Sequence, residues 1–239
     1  MITAHQCAHL ADDRKKLGGE NLYYFDGDAY GTSNIPSSAL PTGYSGPHTL
    51  AFWLYYESLI SASYQSSPIG LIGNSNSVIR SLIILFSISN KLSYFSGDGT
   101  NYQRIDTGYN IPQNQWIYII IFSDGSTVSM YLNGLLYGPY ALSYQPTVTD
   151  TDIDLMYYSG YNRYIKGYLK NVTLYDRVLT STARTIFAND GIPGHPVLYY
   201  PCNEGTGDSF KDHSRSRGNV TLNNGVWQYT DPEDGRIWI

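Results

Sequence analysis

Of the 239 residues only 15% are charged, against a usual share of about 25%, while 15% are aromatic and 24 are tyrosine; the formal net charge is −5. Nucleic-acid binding is disfavoured, because the densest basic run, Arg14-Lys15-Lys16, falls far short of the cationic stripe that a phosphate backbone demands. Membrane insertion is disfavoured too: the longest apolar runs, such as Leu82 to Phe86, have strand length, against the ~20 residues of a spanning helix.

In chain order, residues 1–19 carry helical spacing, with Thr3 as a cap, Cys7, Leu10, Ala11 and Arg14 on one face and Gly18-Gly19 as a stop. The segment reads either as an anchor for a partner or as a mobile tail. Its opening, MITAHQCAHLADDRKK, lacks the continuous apolar stretch of an export signal. Cys7 and Cys202 are too few for a disulfide framework and read as buried thiols. Strand patterning starts with LYYF at Leu22 and continues from His48 to Leu54, with Trp53 as a core residue. A Ser/Gly-rich loop over 57–79 contains a short strand at Ile69 to Ile72. Strands follow at Ser81 to Ser89 and Leu92 to Phe95 around an Asn90-Lys91 turn, and 97–114 reads mostly as loop.

From Gln115 to Gly138 the pattern is a three-strand antiparallel meander. Asp124-Gly125 and Asn133-Gly134 are dipeptides that accept positive φ at both centres of a type I′ turn. Trp116, Tyr118, Ile120 and Phe122 share one strand face, and Val128, Met130 and Leu132 one face of the next. An apolar face of that size needs a second sheet over it. A Tyr/Pro loop over 138–150 leads to a short strand at Ile153 to Tyr157 and an alternating strand at Tyr168 to Tyr175. A helix at Ser181 to Asn189 has Thr180 or Ser181 as its cap and Gly191 past its end.

Trp116, Asp124-Gly125 and Tyr131-x-Asn133-Gly134, at these spacings, resemble the signature of laminin-G-like domains in the concanavalin A-like lectin/glucanase superfamily. Four further stretches carry the same resemblance: Phe25-Asp26-Gly27 with Tyr30, the strand His48 to Leu54 with its Trp53, the run Asp176-Arg177-Val178-Leu179-Thr180, and Glu204-Gly205-Thr206-Gly207 with Asp212, Ser214 and Asn219. The last run opens the domain in many relatives but follows the closing helix here. The resemblance implies an all-β fold, an antiparallel jelly-roll β-sandwich of concanavalin A-like type with one short helix near 181–189. Residues 1–19 form a separate N-terminal segment, 20–194 the sandwich, and 195–239 a tail that completes or extends it, being too short for a core of its own.

Candidate chemistry is sparse. The glucanases of this superfamily carry E-x-D-x-x-E, which sets two carboxylates on one strand face; a retaining glycosidase needs them about 5 Å apart. None of Glu20, Glu57, Glu204 and Glu233 has an acid at that spacing, so an enzyme is not expected. Asp150, Asp152 and Asp154 alternate at the edge of a strand and form the metal candidate, with Asp26 and Asp28 as further oxygen donors; calcium is the one cofactor these residues suggest. Against it, Lys170 and Asn171 stand where many relatives carry an acidic pair. For glycans, rings that bury pyranose C–H surface need amides or charges beside them. Tyr157, Tyr158, Tyr161, Asn162, Arg163 and Tyr164 form one such loop; Tyr102 and Arg104 belong to a second. Such tyrosines serve equally well in a subunit interface.

The expected role is non-catalytic binding: a phage virion surface protein with a lectin-like fold, made in the host cytoplasm and joined to other virion proteins or to copies of itself, with a host-surface glycan as a further partner. A free-standing or excised extracellular lectin domain is the alternative, and a glycan-degrading enzyme the third. At the one residue pair where turn chemistry is most specific, Asn133→Val is expected to lower stability by at least about 1 kcal/mol, since a β-branched residue resists positive φ. An unchanged urea midpoint would show the turn to be misassigned.

Overall fold

The computed structural model describes residues 20–35, 45–59, 66–73, 82–86, 91–98, 100–145, 151–158, 163–214, 218–230 and 237–238. Segment 1–19, with its expected helix and Cys7, lies outside them. In chain order the elements are β1 (Glu20–Phe25), β2 (Tyr30–Ile35), β3 (His48–Leu59), β4 (Ile69–Gly73), β5 (Leu82–Phe86), β6 (Lys91–Gly97), β7 (Tyr102–Asn110), β8 (Trp116–Ser123), β9 (Thr127–Leu132), β10 (Leu135–Ala141), β11 (Thr151–Leu155), β12 (Tyr157–Tyr158), β13 (Arg163–Tyr175), α1 (Ser181–Ala188), β14 (Leu198–Tyr200), β15 (Ser209–Phe210), β16 (Val220–Asn223), β17 (Val226–Thr230) and β18 (Ile237–Trp238).

Two antiparallel sheets pack into a jelly-roll sandwich. The ten-stranded sheet runs β10-β9-β8-β3-β13-β1-β17-β18, with β12 and β14 also paired to β13; the eight-stranded sheet runs β15-β16-β2-β11-β4-β5-β6-β7. Period-2 alternation decides which side chains enter the space between them. From β8 it is Ile117, Ile119 and Ile121, fully buried, that meet Val128, Met130 and Leu132 of β9 and Leu50, Phe52 and Leu54 of β3. Each such isoleucine contributes about 1.5–3 kcal/mol through its burial. This corrects the sequence reading at two places. The face carrying Trp116, Tyr118 and Phe122 is the outer one, and Trp53, half-buried beside Tyr118, stands on the outer side as well.

The meander is present as β8-β9-β10, and its second turn has φ 45 at Asn133 and 94 at Gly134. The first turn differs from expectation. Only Gly125, at φ 95, is left-handed. The Asp124 carboxylate closes that loop by accepting from the Ser126 and Thr127 amides at 2.8 and 2.7 Å, an Asx-type turn rather than type I′. Residues 97–114 hold the nine-residue strand β7, not mostly loop. Its only buried side chain is Ile105, and it pairs with β6 alone, so hydrophobic patterning had little to register.

Residues after the helix contribute to both sheets. β14 pairs with β13, β16 with β2, and β17 with β1, and Tyr200, Phe210 and Val220 are buried in the common core. Cys202 is a free, buried thiol. Thr180 caps α1 by accepting from the Ala183 amide, as the sequence suggested. Removing residues 195–239 would strip core side chains and take one pairing partner each from β1, β2 and β13. The expected outcome is an insoluble or molten chain; a soluble truncation with a cooperative melting transition would show the tail to be dispensable.

Candidate functional site

The outer face of the ten-stranded sheet is lined with rings because four strands place an aromatic residue at the same register level. Tyr24 of β1 lies opposite Tyr168 of β13, Tyr168 opposite Tyr55 of β3, and Tyr55 opposite Trp116 of β8. Ring centroids along this row are 5.0, 5.7 and 5.7 Å apart. Tyr168 is only 3% exposed and forms the floor, whereas Tyr24, Tyr55 and Trp116 are half-exposed around it. One step along the strands, Trp53 meets Tyr118 at 5.3 Å, and Tyr118 stacks on Tyr131 at 6.2 Å. Beyond them α1 covers the sheet: Phe187 is buried against Ala51 and Ile120, and the Arg184 guanidinium lies 4.5 Å from the Phe122 ring centre.

Two bulges set the polar groups around these rings. Between the pairs Lys166–Ser58 and Gly167–Tyr56, β3 carries Glu57 as an extra residue. The Glu57 carboxylate accepts from the Tyr24 hydroxyl at 2.9 Å, and Lys166 lies 5.7 Å from the Tyr24 ring centre. Between the pairs Lys170–Trp53 and Thr173–Ala51 the extra residue is on β13, where Asn171 sits at φ 53. Its amide donates to Asp190, itself at φ 65, at 2.7 Å, and its oxygen accepts from the Tyr199 hydroxyl. The Lys170 ammonium bridges Glu20 at 3.1 Å and Asp190 at 2.7 Å and lies 5.9 Å from the Trp116 ring centre. Burial alone would lower the Lys170 pKa, but the hydrogen bonds to Asp190 and Glu20 outweigh it and raise the pKa above its ordinary 10.5. The ammonium thus sits where the resemblance placed an acidic pair, and it satisfies two carboxylates itself.

The residues expected to bind ligands are dispersed. Tyr157 packs 4.7 Å from Tyr30 and 4.8 Å from Tyr164, and Tyr30 and Tyr164 are 6.1 Å apart, so the three rings are turned toward one another. Burial, with Tyr164 and Asp154 close by, pushes the Tyr157 hydroxyl up to about 12. The Tyr158 backbone pairs with Arg163, whose carbonyl accepts from Ser66; Tyr161 and Asn162 lie outside the described residues. On the other sheet Tyr102, 58% exposed, stacks on Phe95 at 5.0 Å, and Arg104 is paired with Asp106 at 2.7 Å. Asp152 and Asp154 belong to β11, an inner strand between β2 and β4, rather than to a strand edge. Asp154 is 3% exposed, and Asp150 lies outside the described residues. Asp26 and Asp28 are exposed neighbours after β1, where the hydrogen bond and charge of Asp26 raise the Asp28 carboxyl. Among the described residues no three His, Cys, Asp or Glu side chains converge as a metal cage would.

Sequence reasoning missed the outer row. In β8 the set Ile117, Ile119, Ile121 is purely aliphatic and the alternate set carries rings with polar atoms, which suit a half-wet surface, but both sets are apolar enough to be buried, so this difference alone does not choose the outer face.

A family model described as the concanavalin A-like lectin/glucanases superfamily matches residues 25–183. No curated protein matches the chain in sequence. Among solved structures the chain is similar to a Bacteroides ovatus protein described as a candidate carbohydrate binder, with TM-score 0.60, 14% identity and coverage of 87% of this chain and 59% of that one. It thus spans 59% of that relative's length. A heptameric SAP-like pentraxin from Limulus polyphemus has TM-score 0.54 and 12% identity over 85% of this chain and 94% of that one. The carbohydrate-binding module of a Ruminococcus gnavus sialidase, bound to α2,3-sialyllactose, has TM-score 0.50 and 13% identity over 71% of this chain and 98% of that one. At these identities the likeness is one of fold.

Replacing Lys170 by Met would leave the Glu20 and Asp190 carboxylates facing each other across a half-buried site. Stability is expected to fall by at least about 1 kcal/mol at neutral pH. Because the folded pKa is raised, the lysine's contribution is complete below 10.5 and fades as pH rises above it. Urea denaturation of both proteins checks this; equal midpoints at neutral pH would show that the cluster adds nothing.

Proposed function

The chain belongs to the concanavalin A-like lectin/glucanases superfamily, and from that membership we propose that it is a non-catalytic carbohydrate-binding module whose contact surface is the outer aromatic face of the ten-stranded sheet. The observation that carries this reading is the row of partly exposed rings Tyr24, Tyr55 and Trp116, held on rigid strands, with Trp53, Tyr118 and Tyr131 beside them packed against the cluster that α1 forms through Phe187. Rings so placed bury the apolar C–H faces of a sugar without ordering a loop. Beside Tyr24, the Glu57 carboxylate is engaged by the Tyr24 hydroxyl, and Lys166, 5.7 Å from the Tyr24 ring centre, is the charged group at the margin of these rings. Fold relatives described as carbohydrate-binding support the same role.

A second reading, assembly at a phage virion surface after synthesis in the host cytoplasm, draws on a different observation. Leu135 and Leu136, each 57% exposed, lie on β10, the edge strand of the ten-stranded sheet. Apolar side chains on an open edge favour contact with another chain, whether a virion protein or a second copy. An extracellular lectin would use the aromatic face alone.

A glycan array probed with the full chain separates these. Binding that falls roughly tenfold or more in Trp116→Ala is expected; no glycan bound, together with a concentration-dependent oligomer that Leu136→Asp abolishes in light scattering, would favour the assembly role. Incubation with glucans, galactans and bacterial polysaccharides is expected to release no reducing sugar. Steady turnover lost in Asp152→Asn would overturn the non-catalytic reading.

A further inference from the structure

We infer that the aromatic face takes an internal stretch of an extended, unbranched polysaccharide laid across the strands, and not a terminal sugar; this rests on the carbohydrate-binding reading above. The direction follows from register. Tyr24, Tyr168, Tyr55 and Trp116 come from four neighbouring strands at one level, so the row runs perpendicular to the chain direction over about 14 Å. Centroid steps along the row are 5.0 to 5.7 Å, and because Tyr168 is the buried floor, the ring surface open to a ligand comes from Tyr24, Tyr55 and Trp116.

The long sides of the row are defined and its ends are open. On one long side stand Trp53 and Tyr118, then α1 with Phe187 and Arg184. On the other stands the Glu57 bulge, with Lys166 over Tyr24. Past Tyr24 the next residue in the row is Val226, which is exposed; past Trp116 comes the exposed hairpin from Asn133 to Leu136. A site for a chain end closes around that end with converging polar groups. Here the polar groups nearest the rings are already engaged: Lys170 with Glu20 and Asp190, the Tyr168 hydroxyl with Gln228, the Tyr24 hydroxyl with Glu57. What stays available is ring surface along a line, and the contact it offers grows with the number of sugars that lie on it.

The test uses the full chain and linear β-1,4-glucan, β-1,3-glucan, xylan and arabinan, each as polymer and as oligosaccharides from the monosaccharide upward. Isothermal titration is expected to show affinity rising roughly tenfold or more between two and four sugars and then levelling. Converting either chain end to a methyl glycoside or an alditol is expected to change nothing. Tyr55→Ser and Trp116→Ala are each expected to reduce affinity for the longest bound oligosaccharide; if either variant fails to fold, the chain-length series on the wild-type protein still decides. A monosaccharide that competes as well as the polymer, or binding abolished by a modified chain end, would overturn this inference while leaving carbohydrate binding intact. No binding to any sugar of any length would overturn both.

Discussion

Gly167 has no side chain at a point where one would strike the neighbouring strand: a Cβ there would stand 2.0 Å from the Tyr55 carbonyl oxygen, and the residue sits at φ 143. This close approach lets β13 and β3 pair across the bulge and resume with Tyr168 facing Tyr55. β13 is the longest strand, at 13 residues, and it holds β1, β3, β12 and β14 directly. The step at Gly167 sets the phase of β13 against β3 and β1 at once. A slip of one residue would turn Tyr168 and Lys170 inward and Leu169 outward. The aromatic row and the Lys170 cluster both depend on this phase.

The second bulge, at Asn171, turns the same strand to a different use. By taking positive φ, Asn171 aims its side chain at Asp190, and Asp190 ends the α1 region in a left-handed conformation of its own. Two non-glycine residues in that region are a local cost of order 1–3 kcal/mol each. The hydrogen bonds among Asn171, Asp190, Tyr199 and Lys170 offset it and tie the helix end to the sheet. The helix in turn shields Ala51 and Ile120, which would otherwise lie bare on the outer face. The Lys170 ammonium that joins the carboxylates also lies 5.9 Å from the Trp116 ring centre.

Much of the fold was legible from local chemistry. Asn133-Gly134 announces its turn because so few residues accept positive φ at both centres, and the position shows it. The helix at Ser181–Ala188 was visible through its Thr180 cap. β7 was not, because an edge strand with a single buried residue, Ile105, leaves no alternating apolar trace. Among the site residues, the Tyr157 region was recognised as ring-rich, but the Tyr157 and Tyr164 rings close on Tyr30, which lies far away in sequence. Composition registers how many rings a stretch has; it does not register what their faces meet.

The amino-acid sequence by itself determined the class of fold, the meander, the helix and the absence of paired glutamates of glucanase type, because each depends on residues within a few positions of one another. Only the tertiary structure decided which side of β8 faces the core. Either alternate set in Trp116–Ser123 is apolar enough to be buried, and the choice falls to packing between two sheets: branched aliphatic chains fill a dry interior at crystal-like density, while large rings with polar atoms are tolerated at its wet boundary. The row Tyr24–Tyr168–Tyr55–Trp116 joins residues from four strands whose neighbours in space are set by sheet order and two bulges. That order is a property of the assembled sandwich, and no local stretch of the chain encodes it.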